Sequence, residues 1–385
     1  MTARINIPSS LHIGANAIDL AGQESRRLRR KHVLIVSDPF IVGSGLTGRV
    51  SDILSAEGIA STTFGDVQPD PTDRNVLDGL ATLKENGCDS LIAVGGGSSI
   101  DTAKGISVLA TNSGSLFDFM GYGRIPEAGL PLIAVPTTAG TGSECTKVTV
   151  ITDTDRDVKM MILDPHLLPA AALVDYTLTM SMPKPLTAHV GVDTLTHGIE
   201  AYVSKKASPM TDTIALSCIA LVGRHLRDAW NDPKNEIARE GMMLAASQGG
   251  MAFANSSVCL VHGMSRPIGA MFHVPHGLSN AMLLPAVTEF SIHGAMSRYA
   301  TVARTLGLSR GNDTDEHACG KLIEGLLSLN EDLEVPQISE CGISQEQFSS
   351  VVEKMASDAL ASGSPQNNPI VPDADEIISL YLNAY

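Results

Sequence analysis

Aromatic side chains are scarce in this 385-residue sequence, at 4% with a single tryptophan, so its core must be built mainly from aliphatic side chains. Positive charge is also in short supply. The net charge is −15 and no extended Lys/Arg run occurs, which excludes nucleic acid as the main partner. The one basic cluster, Arg26, Arg27, Arg29, Arg30 and Lys31, precedes an apolar run and reads as the solvated end of a helix. The six cysteines are scattered without a CxxC pair, which argues against a disulfide frame or a cysteine metal cluster and for reduced, mostly apolar fillers. No apolar run is long enough to span a bilayer, and no basic segment followed by an apolar one opens the sequence. The expectation is a cytoplasmic protein with no membrane partner. Internal repeats and low-complexity tracts are absent.

Hydrophobic residues at 43% and charged residues at 18% are ordinary globular composition, and the length allows two domains sharing one cleft. Up to Pro183, short apolar runs alternate with amphipathic ones. Val33–Val36, Ala60–Phe64, Ser90–Val94 and Leu132–Val135 read as strands. Leu46–Glu57 and Thr72–Asn86, the latter with Thr72 as its cap, read as helices. That alternation predicts a parallel, doubly wound α/β domain over residues 1–182. From Thr187 onward the apolar spacing is helical, through Asp193–Val203, Thr211–Trp230, Asn235–Ala254, Met296–Leu306, His317–Leu329, Gln345–Ala359 and Ala374–Ala384. An all-α domain is therefore predicted over residues 183–385.

Two loops in the first half follow strands and are rich in small residues. Gly95-Gly96-Gly97-Ser98-Ser99 precedes a helical pattern, so its backbone N–H groups either make a plain tight turn or cradle a phosphate at a helix N-terminus. The spacing is neither the Rossmann fingerprint nor a Walker loop. Pro136-Thr137-Thr138-Ala139-Gly140-Thr141 carries hydroxyls suited to phosphate or ribose. A pair of such loops at the carboxyl ends of neighbouring strands is the usual place for a dinucleotide. Asp38 follows the strand Val33–Val36. It either initiates the Asp38-Pro39 turn or accepts hydrogen bonds from an adenosine ribose, where it would repel a 2′-phosphate and favour NAD over NADP.

The second half contains Asp193 and His197, four apart and so on one helix face, followed by His262, His273 and His276 in a region of small and apolar residues. A lone histidine is more often a satisfied core residue, and Asp193 alone can be a cap or an ion-pair partner. Together, one carboxylate and three imidazoles suit a divalent ion such as Fe(II) or Zn(II) with positions left open, and the absence of cysteine favours a catalytic over a structural site.

These motifs together resemble the iron-containing (group III) alcohol dehydrogenases, along essentially the whole chain. The resemblance rests on Gly95-Gly96-Gly97-Ser98 with Asp101 and Lys104, on Pro136-Thr137-Thr138-Ala139-Gly140-Thr141 with Glu144, and on Asp164-Pro165. It rests further on the Asp193/His197 pair, Val261-His262-Gly263-Met264, Pro275-His276-Gly277 and Asn368-Pro369. It implies the dehydroquinate synthase-like fold, an α/β dinucleotide domain followed by a helical metal-binding and substrate domain. It also implies hydride transfer between NAD(H) and a small alcohol, aldehyde or ketone. The metal ligands it implies are Asp193, His197, His262 and His276. The implied cofactor contacts are Asp38, Gly96, Gly97, Ser98, Asp101, Thr137, Thr138 and Lys159. Homodimers or larger assemblies follow by the same comparison, with Ile5-Asn6-Ile7 resembling a first strand that reaches a partner subunit. The competing classes are a lyase of the dehydroquinate synthase type, which would need more basic residues than the second half offers, and a non-catalytic nucleotide-binding protein.

The sequence departs from the resemblance at one position. Where many members carry a second histidine, His262-Gly263-Met264-Ser265-Arg266 ends in arginine, which stays protonated and cannot be a general base. His273 is then the candidate for a proton relay. Arg266 either binds a substrate carboxylate, as in a hydroxy acid or semialdehyde acid, or pairs with a neighbouring acid or the cofactor diphosphate.

Overall fold

The structure, a computed structural model, describes residues 3–156 and 158–385. The chain divides into two compact units, Ile5–Met180 and Ser181–Tyr385.

The first unit contains β1 (Ser10–Ile13), β2 (His32–Val36), β3 (Ala60–Phe64), β4 (Ser90–Gly95), β5 (Gly121–Tyr122), β6 (Leu132–Pro136), β7 (Val148–Asp153), β8 (Val158–Leu163) and β9 (Ala171–Val174). Its helices are α1 (Ala21–Arg27), α2 (Pro39–Gly43), α3 (Leu46–Ala56), α4 (Asp73–Glu85) and α5 (Gly97–Leu109). Six strands form one all-parallel sheet in the order β1-β9-β6-β4-β2-β3, with Leu34 opposite Leu91 and Leu91 opposite Leu132. The unbroken apolar runs are explained by burial on both faces. Alternate residues enter different cores: Leu34, Val36, Leu91 and Ala93 pack with α4 and α5, while Val33, Ile35, Ile92 and Val94 pack with α1 and α3. Thr72 caps α4 as expected, accepting from the Asn75 amide in a reciprocal capping box.

Some elements differ from the sequence reading. Ile5–Ile7 lies outside any strand of this chain, and the first strand is β1, which pairs with β9. A second, small sheet of order β5-β8-β7 includes the antiparallel pair β7–β8. β8 buries Met160 and Ile162 on one face, and pairing with β7 satisfies its backbone. The basic cluster starts at the end of α1 and continues through a turn in which Arg29 has φ +58°.

The strand order reverses between β2 and β4. After β2 the chain moves to β3 on one side, and after β4 it moves to β6 on the other. The carboxyl ends of these strands therefore flank a topological switch point, where open α/β sheets bind ligands. Gly95, at the end of β4, has φ +153°, and a Cβ there would lie 2.4 Å from Ser99 Oγ and 3.3 Å from Asp38 Oδ2. A Cβ at Gly97 would lie 2.9 Å from Thr141 Cγ2, so glycine lets the two small-residue loops approach each other.

Lys104 of α5 is fully buried and fixes the second loop. Its Nζ donates to the Ser143 carbonyl and Oγ, to Thr146 Oγ1 and to the Val148 carbonyl, at 2.7–3.0 Å. Burial lowers its pKa from 10.5 to about 8, against the attraction of Asp101.

The second unit is helical: α6 (Lys184–Val203), α7 (Pro209–Asn231), α8 (Glu236–Asn255), α9 (Leu260–Phe272), α10 (His276–Ser291), α11 (Met296–Thr305), α12 (Asp315–Asp332), α13 (Gln345–Ala361) and α14 (Ala374–Ala384). Here α6 packs closely on its neighbours through glycines. A Cβ at Gly198 would meet Ile219 at 2.9 Å, one at Gly249 would meet His197 Cβ at 3.3 Å, and one at Gly277 would meet the His189 carbonyl at 2.7 Å. The buried Arg239 ties α8 to the start of α6, donating to Thr187 Oγ1 and to the Pro233 and Met182 carbonyls. No helix among the described residues is long and apolar enough to cross a membrane.

The lowered pKa of Lys104 sets a pH dependence. Between about 8 and 10.5 the unfolded chain holds a proton at Lys104 that the folded chain has released, so stability rises with pH through that window. Over that range wild type should gain about 3 kcal/mol of unfolding free energy relative to Lys104→Met. A pH-independent difference between the two in urea titrations would contradict this.

Candidate metal centre

Three helices of the second unit supply the centre: α6 brings Asp193, His197 and Glu200, α9 brings His262 and Arg266, and α10 brings His276 and Asn280. On α6 the i, i+4, i+7 spacing places its three residues along one face, all buried. Asp193 Oδ1 is the hub. It lies 3.5 Å from His262 Nε2, 3.8 Å from His197 Nε2 and 4.0 Å from His276 Nε2. The ligand atoms of Asp193, His262 and His276 all lie within 4.8 Å of one another, the arrangement a single cation requires. His197 stands beside this trio, its ring stacked on Phe253 at 4.4 Å and on His262 at 4.7 Å.

Two residues that the sequence reading did not single out orient the centre. Glu200 Oε2 accepts from His262 Nδ1 at 2.7 Å and from the Cys259 amide, and Oε1 accepts from the Val261 amide at 2.6 Å. A proton held on Nδ1 leaves Nε2 facing Asp193 as a free base, as metal-ligating histidines are usually held. Asn280, one turn after His276, donates from Nδ2 to Asp193 Oδ1 at 2.6 Å and sits 3.2–3.3 Å from Nε2 of both His276 and His262. Its amide nitrogen meets the same acceptor atoms that would surround a cation, and its Oδ1 is buried without a hydrogen-bond partner. The sequence signals for both are their spacings, Glu200 seven after Asp193 and Asn280 four after His276.

Electrostatics suit the same role. Desolvation works against charge on Asp193, but the neighbouring imidazoles prevail and hold its carboxyl well below the usual range. Desolvation also opposes charge on His262, yet the Glu200 and Asp193 carboxylates raise its pKa to about 8, so the buried cluster draws in positive charge. His276 moves the other way. Desolvation and the nearby cationic groups lower its pKa although 41% of its side chain is exposed, because its Nε2 faces the buried cluster and not open water. The donor set therefore fits a divalent ion.

His273 is the exposed C-cap of α9 with φ +54°, and its side chain makes no hydrogen bond, ion pair or ring contact with the cluster. Arg266 donates from Nη1 to Ser364 Oγ at 2.9 Å.

In the first unit, Asp38 caps α2, with Oδ1 accepting from the Ile41 amide at 2.9 Å while Oδ2 faces Gly95. Gly96, Gly97 and Ser98 form the N-terminal turn of α5, and the Thr137 amide donates to the Gly95 carbonyl. A Cβ at Gly96 would meet Thr138 at 3.4 Å, so Thr137 and Thr138 border the glycine turn. Asp101 is engaged internally, accepting from Ser143 Oγ at 2.7 Å and the Val150 amide at 2.9 Å. Lys159, on β8, is paired with Asp70 at 2.9 Å.

Replacing Glu200 by alanine would leave two buried amides and the His262 Nδ1–H without an acceptor. Glu200→Ala should lose at least about 3 kcal/mol of unfolding free energy and Glu200→Gln, which keeps an acceptor oxygen, distinctly less. Equal urea midpoints for the two variants would count against Glu200 as the anchor.

Comparisons with known proteins cover the whole chain. The family model described as iron-containing alcohol dehydrogenase matches residues 8–176, and that of the Fe-containing alcohol dehydrogenase family, C-terminal, matches residues 187–385. Alcohol dehydrogenase 4 of Schizosaccharomyces pombe is 37% identical over 98% of this chain and 88% of its own length. The NAD-dependent methanol dehydrogenase of Bacillus methanolicus is 35% identical over 98% of both chains. The crystal structure of a 1,3-propanediol oxidoreductase superposes with a TM-score of 0.97 at 34% identity, covering 100% of both chains. The parallel-sheet and helical units, the buried carboxylate–imidazole cluster and these matches along the full length make the chain a member of the iron-containing alcohol dehydrogenase family, and hence an alcohol oxidoreductase.

Proposed function

We propose that the chain is a metal-dependent NAD(H) oxidoreductase acting on a small alcohol and its aldehyde or ketone, with residues 1–182 carrying the dinucleotide and residues 183–385 the metal and substrate. The observation that carries the metal assignment is the convergence of Asp193 Oδ1, His262 Nε2 and His276 Nε2, with His197 beside them. These four residues would hold Fe(II) or Zn(II). A bound ion would supply Lewis-acid polarisation of the substrate oxygen. The donor set accepts either metal. Glu200 and Asn280 keep the ligand atoms aimed at one point, which limits the reorganisation needed on loading.

For the dinucleotide, the supporting geometry is the switch point between β2 and β4. Gly96, Gly97 and Ser98 offer backbone donors at the start of α5 for a diphosphate, and Thr137 and Thr138 border the same turn. Asp38 Oδ2 faces this turn and would accept from a ribose diol while repelling a 2′-phosphate. Asp101 and Lys159 would act by fixing the surrounding backbone, since each already has an internal partner. In the oxidative direction the carbinol carbon gives its hydride to the nicotinamide and the hydroxyl proton leaves to solvent. His273, exposed at the end of α9, is the candidate imidazole to relay that proton, because Arg266 cannot. A homo-oligomer remains the working expectation from the family resemblance.

Two experiments test this reading. In elemental analysis Asp193→Ala should retain metal at least about tenfold more weakly than wild type, and chelation should abolish NAD-linked alcohol oxidation until Fe(II) or Zn(II) is restored. Undiminished turnover after verified metal removal would refute it. Separately, Asp38→Gly should raise kcat/KM with NADP relative to NAD by at least about tenfold. An unchanged cofactor ratio would remove Asp38 from the selection.

A further inference from the structure

Arg266 lies on α9 one turn beyond His262, on the same helix face. It is largely enclosed, yet its guanidinium makes one hydrogen bond, from Nη1 to the hydroxyl of the buried Ser364. Among the described residues no carboxylate lies within ion-pair distance of it. Glu200 is the acid whose charge reaches it through space, but both Glu200 oxygens are already taken by His262 and the Cys259 and Val261 amides. Arg266 is partly buried, and among the described residues its Nε and Nη2 have no hydrogen-bond partner. Desolvation already lowers the Arg266 pKa, as expected of a cation enclosed without a counter-charge, and its own charge is felt at His276. The two buried carboxylates of the cluster, Asp193 and Glu200, would balance a divalent ion, which leaves the guanidinium as the uncompensated charge.

We propose that Arg266 binds a carboxylate of the substrate through its free nitrogens, so that the preferred substrates are hydroxy acids and the corresponding aldehyde acids, with the reacting carbon at the Asp193–His262–His276 cluster. One helical turn separates His262 from Arg266, about 6 Å along the axis, which suits a carboxylate a few carbons from the carbinol. In the reaction the carbinol carbon loses a hydride to NAD and the hydroxyl loses its proton to solvent, while the carboxylate is unchanged. This assignment rests on the dehydrogenase reading above.

The test compares 4-hydroxybutyrate with n-butanol as substrates of the metal-loaded wild type, Arg266→Met and Arg266→Lys. It adds calorimetric titration of succinate, which has no carbinol, into the NAD-bound wild type and Arg266→Met. The wild type should favour 4-hydroxybutyrate by at least about tenfold in kcat/KM, and that ratio should collapse in Arg266→Met and partly recover in Arg266→Lys. Succinate should bind wild type and lose at least about tenfold in affinity for Arg266→Met. The wild-type ratio and wild-type succinate binding need no variant, so misfolding of Arg266→Met leaves the test intact. Turnover of n-butanol at least equal to that of 4-hydroxybutyrate overturns the anion assignment alone, as does a ratio unchanged in Arg266→Met. Turnover of neither alcohol overturns the dehydrogenase reading with it.

Discussion

A carboxylate buried to 2% exposure is the constraint around which the helical unit is arranged. Asp193 cannot remain ionised there without compensation, because removing a charge from water costs several kcal/mol even after the protein relaxes. Its neighbours supply that compensation. Asn280 donates to it, three imidazole nitrogens stand within 4.0 Å, and one of these belongs to a ring that Glu200 draws towards the charged state. The arrangement is stable only if the hub stays occupied by positive charge, as protons or as a metal ion. A purely structural ion pair would need one partner, whereas this hub has four converging groups.

Such convergence demands that α6 and its neighbours approach more closely than ordinary side chains allow. The glycines meet that demand. Gly277 lets the first turn of α10 rest on the α6 backbone at His189, which carries His276 to Asp193, and Gly249 lets α8 lie against His197. Backbone permissiveness is not what these positions need, since neither has a positive φ. What they need is the absence of a Cβ. Gly95 differs, because there both the left-handed backbone and the lack of a side chain are required to turn β4 into α5.

The sequence pattern makes some of this legible and hides the rest for identifiable reasons. The strands β2, β4 and β6 stand out because burial on both sheet faces demands unbroken apolar runs, and α4 because Thr72 and Asn75 cap it. The β7–β8 pair is less conspicuous, because its strands alternate buried with less buried residues and lack the unbroken apolar runs of β2 and β4. Asp193 and His197 are visible as an i, i+4 pair of ligand types. Glu200 carries only its spacing from Asp193 as a signal, and a glutamate in a helix is unremarkable until His262 is known to stand opposite it. Asp101 shows the converse. The sequence places this residue beside the glycine loop, and only the fold shows that the Ser143 hydroxyl and the Val150 amide donate to its oxygens.

Lys104, Arg239 and Arg266 separate structural from functional roles for an enclosed cation. Lys104 gives its ammonium to four acceptors and Arg239 gives its guanidinium to three, and each thereby joins segments distant in sequence. Both have the hydrogen-bond partners that a buried cation requires. Arg266 differs: it is partly buried, makes a single hydrogen bond within the chain, to Ser364, and lies one helical turn from the ligand cluster. A fold that supplies partners to Lys104 and Arg239 has the means to supply them here. Local violations that persist beside reactive groups are where a protein trades stability for function. The missing partner of Arg266 is therefore best sought outside the chain, in a molecule that arrives with its own negative charge.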